Sequence, residues 1–209
     1  MLFFLPLVGF FISLLVLGML QLDSNTLVAI FGAVFYMVLY GFLHTEAIID
    51  VVDAIFASHS NKNPYEIIKE PTVGAMGVLF GVSFLILKIS TLVYLFTAGK
   101  AIFLIAVAVG SRVGALGVIK FFEFKSSFLE ILQSAFSLTA LKVAVVFYSI
   151  LLTLIIGFSS LAIVLISIVV SLIIAKIIKK RLGFANGDVV GTTIELVELL
   201  LIVLVIAYF

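Results

Sequence analysis

The chain has 209 residues, of which 65% are hydrophobic and 11% are charged, with a formal net charge of +1 and a mean hydropathy of +1.45. An ordinary soluble domain carries roughly 25% charged residues, so this composition indicates an integral membrane protein. The near-neutral charge gives no support for nucleic acid as a partner. The absence of cysteine excludes a disulfide, a thiolate nucleophile and a cysteine-ligated zinc site.

Seven hydrophobic runs are each near the roughly 20 residues that cross a bilayer. They lie at about 2–21, 26–43, 73–97, 101–119, 138–157, 159–177 and 190–209. These runs predict an all-α integral membrane protein, a polytopic bundle of about seven transmembrane helices that forms a single domain over residues 1–209. The turn at 157–160 is short and uncharged, so the fifth and sixth runs could instead form one broken or re-entrant pair.

Lysine and arginine are distributed unevenly between the two ends of these predicted spans. One end has only Lys100, whereas the connections at the other end contain Lys62, Lys69, Lys120, Lys125, Lys176, Lys179, Lys180 and Arg181. Basic residues concentrate on the cytoplasmic side of membrane proteins. We therefore predict a multi-pass protein of the cell membrane, with the N-terminus and the polar connections in the cytoplasm and the C-terminus outside.

The connection after the second span begins with the acidic segment His44-Thr-Glu-Ala-Ile-Ile-Asp-Val-Val-Asp53. Glu46, Asp50 and Asp53 have the spacing i, i+4 and i+7, which places their side chains on one helical face. Three carboxylates held together repel one another unless a positive charge neutralises them. A divalent cation is the simplest candidate, and the adjacent His44 is a candidate site residue.

A second acidic cluster begins the last span, where Asp188, Gly191, Glu195 and Glu198 share one helical face. Asp188 near a helix start is also a candidate for a capping residue. Glu195 lies one to two turns inside the span, where a carboxylate needs a partner. Arg112 lies in the middle of the fourth span, so we expect it to face the interior and to pair with a carboxylate or a phosphate.

Both acidic clusters are predicted at the same membrane face, beside basic connections. Ten of the eleven acidic residues fall at or near that face, and only Asp23 falls opposite. Magnesium prefers oxygen ligands and shares them with phosphate groups in phosphoryl transfer. The pattern therefore suits a site that binds Mg²⁺ and a phosphorylated substrate.

Four segments, in order along the chain, resemble the cobalamin synthase family of membrane enzymes, the adenosylcobinamide-GDP ribazoletransferases. The segment 44–54 resembles the signature His-x-Asp-Gly-Leu-Ala-Asp-x-x-Asp-Gly. The segments 4–9 and 66–74 resemble two further family stretches, Phe-Pro-Leu-Ile-Gly and Glu-Ile-Met-Arg-Asp-Ser-Arg-Leu-Gly. The segment 183–198 resembles the family ending Gly-Gly-x-x-Gly-Asp-x-x-Gly-Ala-x-x-Glu-x-x-Glu.

The resemblance implies transfer of the adenosylcobinamide phosphate group from adenosylcobinamide-GDP to α-ribazole or its 5′-phosphate, with release of GMP, in late cobalamin biosynthesis. It implies Mg²⁺ as cofactor, and the partners are these substrates and the lipid bilayer, with a homo-oligomer left open. The implied metal ligands or close neighbours are Glu46, Asp50, Asp53, Asp188 and Glu195. Asp50, Asp53 and His44 are the candidate catalytic residues, and Lys69 and Arg112 are the candidate phosphate-binding residues.

The chain also departs from the family pattern. Glu46 replaces an aspartate, Ala47 and Ala54 replace two glycines, and Pro71-Thr72 stands where the family has Ser-Arg. A phosphate-binding arginine is therefore absent, and Lys69 replaces it only in part because an ammonium lacks the bidentate fork of a guanidinium. A diverged membrane phosphotransferase that uses another diphosphate donor remains an alternative, and so does a cation transporter.

Overall fold

The computed structural model describes residues 2–23, 25–58 and 63–209. Within these ranges the chain is helical and contains no strand, which confirms the predicted all-α fold. A short 3-10 turn at Leu2–Phe4 precedes ten helices: α1 Leu5–Met19, α2 Thr26–Leu39, α3 Leu43–Ser58, α4 Pro64–Ile67, α5 Ala75–Thr97, α6 Phe103–Phe121, α7 Ser127–Ser134, α8 Leu138–Ile156, α9 Ser159–Leu182 and α10 Gly187–Tyr208. Lys62, which contributed to the predicted orientation, lies outside the described residues.

Six of the described helical segments are long and apolar enough to cross a membrane. They are the stretch Leu2–Met19 and the helices α5, α6, α8, α9 and α10. Helices α2 and α3 meet the same criterion only together, and they are bent by 76°. The bent pair is therefore at the second predicted span, whereas the fifth and sixth predicted spans are two full-length helices.

The bend follows from two consecutive residues in the left-handed backbone region. Gly41 has φ +64° and Phe42 has φ +55°, and an α-helix of L-residues cannot continue through that conformation. The second predicted span is consequently shorter than expected and ends at Leu39. The acidic segment then begins a new helix, α3, in a direction that lets it pack across α5 and α10.

Helix α6 is the centre of the bundle. Almost all of its side chains are buried, because it packs against α1, α8, α9 and α10. At the contact with α9, a Cβ at Gly114 would lie 2.7 Å from the carbonyl oxygen of Ser167. Small residues permit such contacts between membrane helices, so Gly114 lets α6 and α9 pack closely.

The three polar connections meet at one end of the bundle. The backbone amide of Lys125 donates to the carbonyl of Ala185 at 2.7 Å, and the rings of Tyr65 and Phe184 are in edge contact at 5.1 Å. Lys100 lies at the opposite end, where its ammonium donates to the carbonyl of Ile206 at 2.9 Å. The structure thus groups the basic connections as expected, and their cytoplasmic location stays a prediction.

Candidate active site

Helix α3 packs closely on the first turns of α10, where Gly191 faces Ala47 and His44. A Cβ at Gly191 would lie 2.9 Å from the Cβ of Ala47 and 3.5 Å from the Cα of His44. Carbon atoms in ordinary contact are about 3.5–4.0 Å apart. The Cβ of Ala47 therefore fits at this contact only because residue 191 has no Cβ. This contact brings the acidic segment of α3 beside the start of α10.

The result is an acidic cluster of Glu46, Asp50 and Asp188. Glu46 is exposed, and the other two residues are half-buried. The negative charges of Asp188, Glu46 and Asp53 all act on Asp50, and the charge of Glu46 acts on Asp188. The structure therefore brings together three of the carboxylates that the sequence placed in one site.

Asp188 is in the first turn of α10, but it is not the residue that caps the helix. The side-chain oxygen of Asn186 accepts from the amide of Val189 at 3.2 Å and so fills the capping position. The amide group of Asn186 also donates to the carboxylate of Asp188 at 2.6 Å. Asn186 thus orients Asp188 and leaves its carboxylate available to the cluster.

Asp53, although on the same helix, has a different environment. One carboxylate oxygen accepts from the amide of Gly74 and the other from the amide of Gly77, each at 2.6 Å. Gly74 has no side chain to cap α5, so the carboxylate of Asp53 satisfies free amides at the positive end of that helix. A Cβ at Gly74 would lie 2.6 Å from Asp53 Oδ1, so a side chain at this position would displace the carboxylate.

His44 lies at the contact between α3 and α10. Its ring stacks on Tyr40, with centroids 5.4 Å apart and an interplanar angle of 24°. Its Nδ1 atom is buried and has no hydrogen-bond partner among the described residues. Its predicted catalytic role stays a prediction, and the stacking shows what holds the ring in place.

Glu195 and Arg112 lie in a buried network two helical turns along α10 from Asp188. The ammonium of Lys88 lies 2.8 Å from Glu195 and 2.5 Å from Glu198, and Arg112 pairs with Glu198. All four residues are at most 2% exposed. Of the two partners expected for Arg112, the structure provides the carboxylate.

The two carboxylates of this network accept further hydrogen bonds from hydroxyl groups. Glu195 accepts from Tyr40 at 2.7 Å and from Thr45 at 3.1 Å, and Glu198 accepts from Tyr36 at 2.8 Å. Both oxygens of Glu195 are therefore engaged by protein donors. We do not retain Glu195 as a metal ligand or Arg112 as a phosphate ligand, because protein groups already neutralise them.

A cavity of about 560 Å³ opens beside the acidic cluster. It is lined by residues of three connections and of the helices that follow them: Tyr65, Ile68, Lys69, Lys125, Ser126, Ser127, Glu130, Asn186, Gly187 and Asp188. Hydrogen bonding to Lys69, together with the charges of Lys69 and Lys125, lowers the pKa of the Tyr65 hydroxyl below its usual range. Asp188 belongs both to this cavity and to the acidic cluster, so it connects a basic wall to an acidic one.

Sequence reasoning named Lys69 and Asp188 in this cavity but missed Tyr65, Lys125 and Ser126. Lys125 entered only the count of basic residues used for orientation. A signal was nevertheless present, because Lys125 precedes two serines at the start of a helix, which is a common setting for anion binding.

Comparison with known proteins identifies the family. The family model described as cobalamin-5-phosphate synthase matches residues 1–206. The chain belongs to this family. It is 27% identical to the adenosylcobinamide-GDP ribazoletransferase of Brevibacillus brevis, over 96% of this chain and 85% of the relative. The proteins of the same name from Desulforamulus reducens and Treponema denticola are 28% and 29% identical, over 96% and 94% of this chain and 83% of each relative. No solved structure matches.

The resemblance to cobalamin synthase that the motifs indicated is thereby confirmed. The chemistry of the acidic cluster determines which metal ion it would fit. Among the described residues, no group of three or more His, Cys, Asp or Glu side chains is close enough to hold a metal ion unaided. Magnesium commonly binds one or two carboxylates and completes its coordination with water and substrate phosphates. The oxygen donors of the acidic cluster, next to a cavity with lysines, fit an ion of that kind shared with a substrate.

Proposed function

We propose that this member of the cobalamin-5-phosphate synthase family transfers the adenosylcobinamide phosphate group from adenosylcobinamide-GDP to α-ribazole or its 5′-phosphate, releasing GMP. The observation that supports this most directly is the position of Asp188. Asp188 is one of the three carboxylates of the acidic cluster, and it also lines the cavity that contains two lysines. A diphosphate and the divalent ion that accompanies it need both kinds of group at once.

Glu46 and Asp188 are the residues that would hold Mg²⁺, with Asp50 beside them. When bound, the ion would neutralise charge on the diphosphate and on the departing phosphate. Lys69 and Lys125 would bind phosphate oxygens that the ion leaves free. Asp53 is not among the metal ligands in this proposal. Its two carboxylate oxygens already accept hydrogen bonds from amides at the start of α5, so its role is to cap that helix.

Asp50 is the residue that we assign to accept the proton of the attacking hydroxyl. Within the described part of the chain, no hydrogen-bond donor binds its carboxylate. Partial burial, and after it the negative charges of Asp188, Glu46 and Asp53, favour its taking a proton. The ribazole hydroxyl oxygen forms a bond to the phosphorus attached to the cobinamide arm. The bond from that phosphorus to the bridging oxygen breaks, and GMP leaves with the bond electrons while Asp50 takes the proton.

The direct test is a transferase assay on the purified protein in detergent or proteoliposomes. Adenosylcobinamide-GDP and α-ribazole 5′-phosphate are supplied with Mg²⁺, or with a chelator in its place, and GMP and the corrinoid product are both quantified. We expect the two products in equal amounts, and only with the metal. If the folded protein forms neither product from these substrates, the proposed reaction is wrong, and other diphosphate donors should then be screened.

A further inference from the structure

The basic wall of the cavity contains two lysines whose ammonium groups lie over the same aromatic ring. The ammonium groups of Lys69 and Lys125 lie 3.9 and 3.6 Å from the centroid of the Tyr65 ring. The two nitrogens are therefore no farther apart than these two distances added together. Neither is within salt-bridge distance of a carboxylate in the described residues, where the ion pairs involve Lys88 and Arg112 instead. Two adjacent cations without an acidic partner favour the binding of an anion.

Ser126 adds a hydroxyl group to the same wall. It occupies the position before α7 at which a serine normally caps the helix, but its side chain makes no capping hydrogen bond. Both Ser126 and Ser127 line the cavity. Among the described residues, no side-chain hydrogen bond is made by the hydroxyl of Ser126 or by the first amides of α7. Groups of this kind bind phosphate oxygens in many proteins.

Contacts between the connections hold this wall in place without a ligand. The backbone amide of Lys125 donates to the carbonyl of Ala185 at 2.7 Å. The ring of Tyr65 packs edge-on against Phe184, which is only 8% exposed. A wall fixed by backbone and aromatic contacts loses little conformational freedom when a ligand binds.

We propose that Tyr65, Lys69, Lys125 and Ser126 form a subsite for the diphosphate group of a nucleoside diphosphate. This inference rests on the proposed function, since it specifies which part of the donor the cavity binds. A volume of about 560 Å³ is ordinary for a small-molecule pocket, but a whole corrinoid nucleotide is far larger. The diphosphate, which links the cobinamide arm to guanosine, enters the cavity between the lysines and Asp188, and the corrin ring stays outside.

The subsite also accounts for a departure of this chain from its family pattern. Pro71-Thr72 stands where the family motif has Ser-Arg, so one expected phosphate-binding cation is missing from the connection after α4. Lys125 comes from a different connection, between α6 and α7. In this chain it supplies a second positive charge beside the Tyr65 ring.

The test measures GDP binding to the purified full chain by titration calorimetry in the presence of Mg²⁺, with inorganic pyrophosphate as competitor. We expect Lys125→Ala to weaken GDP binding about tenfold, the loss of one charge-assisted contact, and Lys125→Arg to restore most of it. The matched control is Lys180→Ala, which removes an exposed charge outside the cavity at the same end of the bundle. That control should bind GDP like the wild type.

Three results would overturn the subsite. They are unchanged GDP affinity in Lys125→Ala, an equal loss in Lys180→Ala, and wild-type protein that binds neither GDP nor pyrophosphate. A fourth is GDP binding abolished in nanodiscs with anionic lipid but retained in zwitterionic ones, since the lysines would then bind lipid headgroups. Binding that depends on Lys125 in a protein without ribazole transfer would keep the subsite and reject only the proposed reaction.

Discussion

Lys88 and Glu195 form an ion pair of 2.8 Å in the interior of the bundle, and both side chains are at most 1% exposed. The pair joins α5 to α10, and Glu195 also accepts from Tyr40 and Thr45, at the end of α2 and the beginning of α3. One carboxylate therefore connects four helices, including the helix that carries the acidic segment. The buried ion pair therefore links the helix of the acidic segment to the interior of the bundle.

The first prediction concerns the stability that this ion pair provides. Replacing Lys88 with Met leaves Glu195 and Glu198 without their shared ammonium, and removing one partner of a buried pair costs about 3–5 kcal/mol. We expect a correspondingly lower denaturation midpoint in detergent. The matched control, Lys142→Met, changes an exposed lysine of α8 and should unfold like the wild type.

A double variant tests whether the cost comes from the unpaired charge. Adding Glu195→Gln to Lys88→Met removes one of the two stranded carboxylates, and Arg112 still neutralises Glu198. The double variant should therefore be more stable than Lys88→Met alone. If the double variant loses as much stability as Lys88→Met and Glu195→Gln lose together as single variants, the unpaired charge does not cause the loss.

This network also shows where sequence reasoning reaches its limit. The helical period placed Glu195 and Asp188 on one face of α10 and indicated that Glu195 needs a partner, but the partner Lys88 lies 107 residues away in the chain. Periodicity assigns residues to a face and does not determine which distant residue packs on it. Arg112 illustrates the same limit, since its partner could have been a carboxylate or a phosphate.

The fold was more accessible to sequence reasoning than the site. Hydrophobic runs near the length of a bilayer predicted the long helices, because that length is set by the membrane. No hydrophobic run of bilayer length marks the bend at Gly41 and Phe42 or the short helix α7. The helical period of the sequence predicted that Asp50 belongs to the site. Tyr65 was found only in the structure, because its place depends on contacts between separate connections.

The second prediction concerns the contact between α3 and α10. Gly191→Ala places a Cβ 2.9 Å from the Cβ of Ala47, so the helices must separate by nearly 1 Å to reach an ordinary contact. A displacement of that size within an active site can lower turnover about a hundredfold. We expect such a loss of transferase activity, with a smaller effect on the thermal unfolding of the protein.

Ala47 offers a specific rescue for this variant. Removing its Cβ in the pair Gly191→Ala and Ala47→Gly restores the space between the helices, so activity should return toward the wild-type value. Gly18→Ala is the control, because a Cβ at Gly18 meets no atom within 4 Å. If the double variant is no more active than Gly191→Ala, the spacing of the two helices does not limit turnover.

The third prediction separates Asp53 from the acidic cluster. Asp53→Ala removes the carboxylate that accepts from the amides of Gly74 and Gly77, and loss of such a capping acceptor costs about 0.5–2 kcal/mol. We expect a lower unfolding midpoint than in Asp50→Ala, whose carboxylate has no amide partner in the described residues. Equal midpoints for the two variants would contradict the capping role of Asp53.

The last prediction concerns Asp50 and the transfer reaction itself. Asp50→Asn keeps the size of the side chain but removes both the negative charge and the ability to take a proton. Loss of a general base commonly lowers the rate about 10²–10⁴-fold, so we expect little or no GMP release at saturating Mg²⁺. The unfolding midpoint should not fall, since the substitution removes repulsion from Asp188 and Glu46. Glu46→Asp, which introduces the residue of the family signature, is the companion variant and should remain active. Full activity in Asp50→Asn would exclude this carboxylate as the proton acceptor, and Glu46 and Asp188 would then be the groups to test.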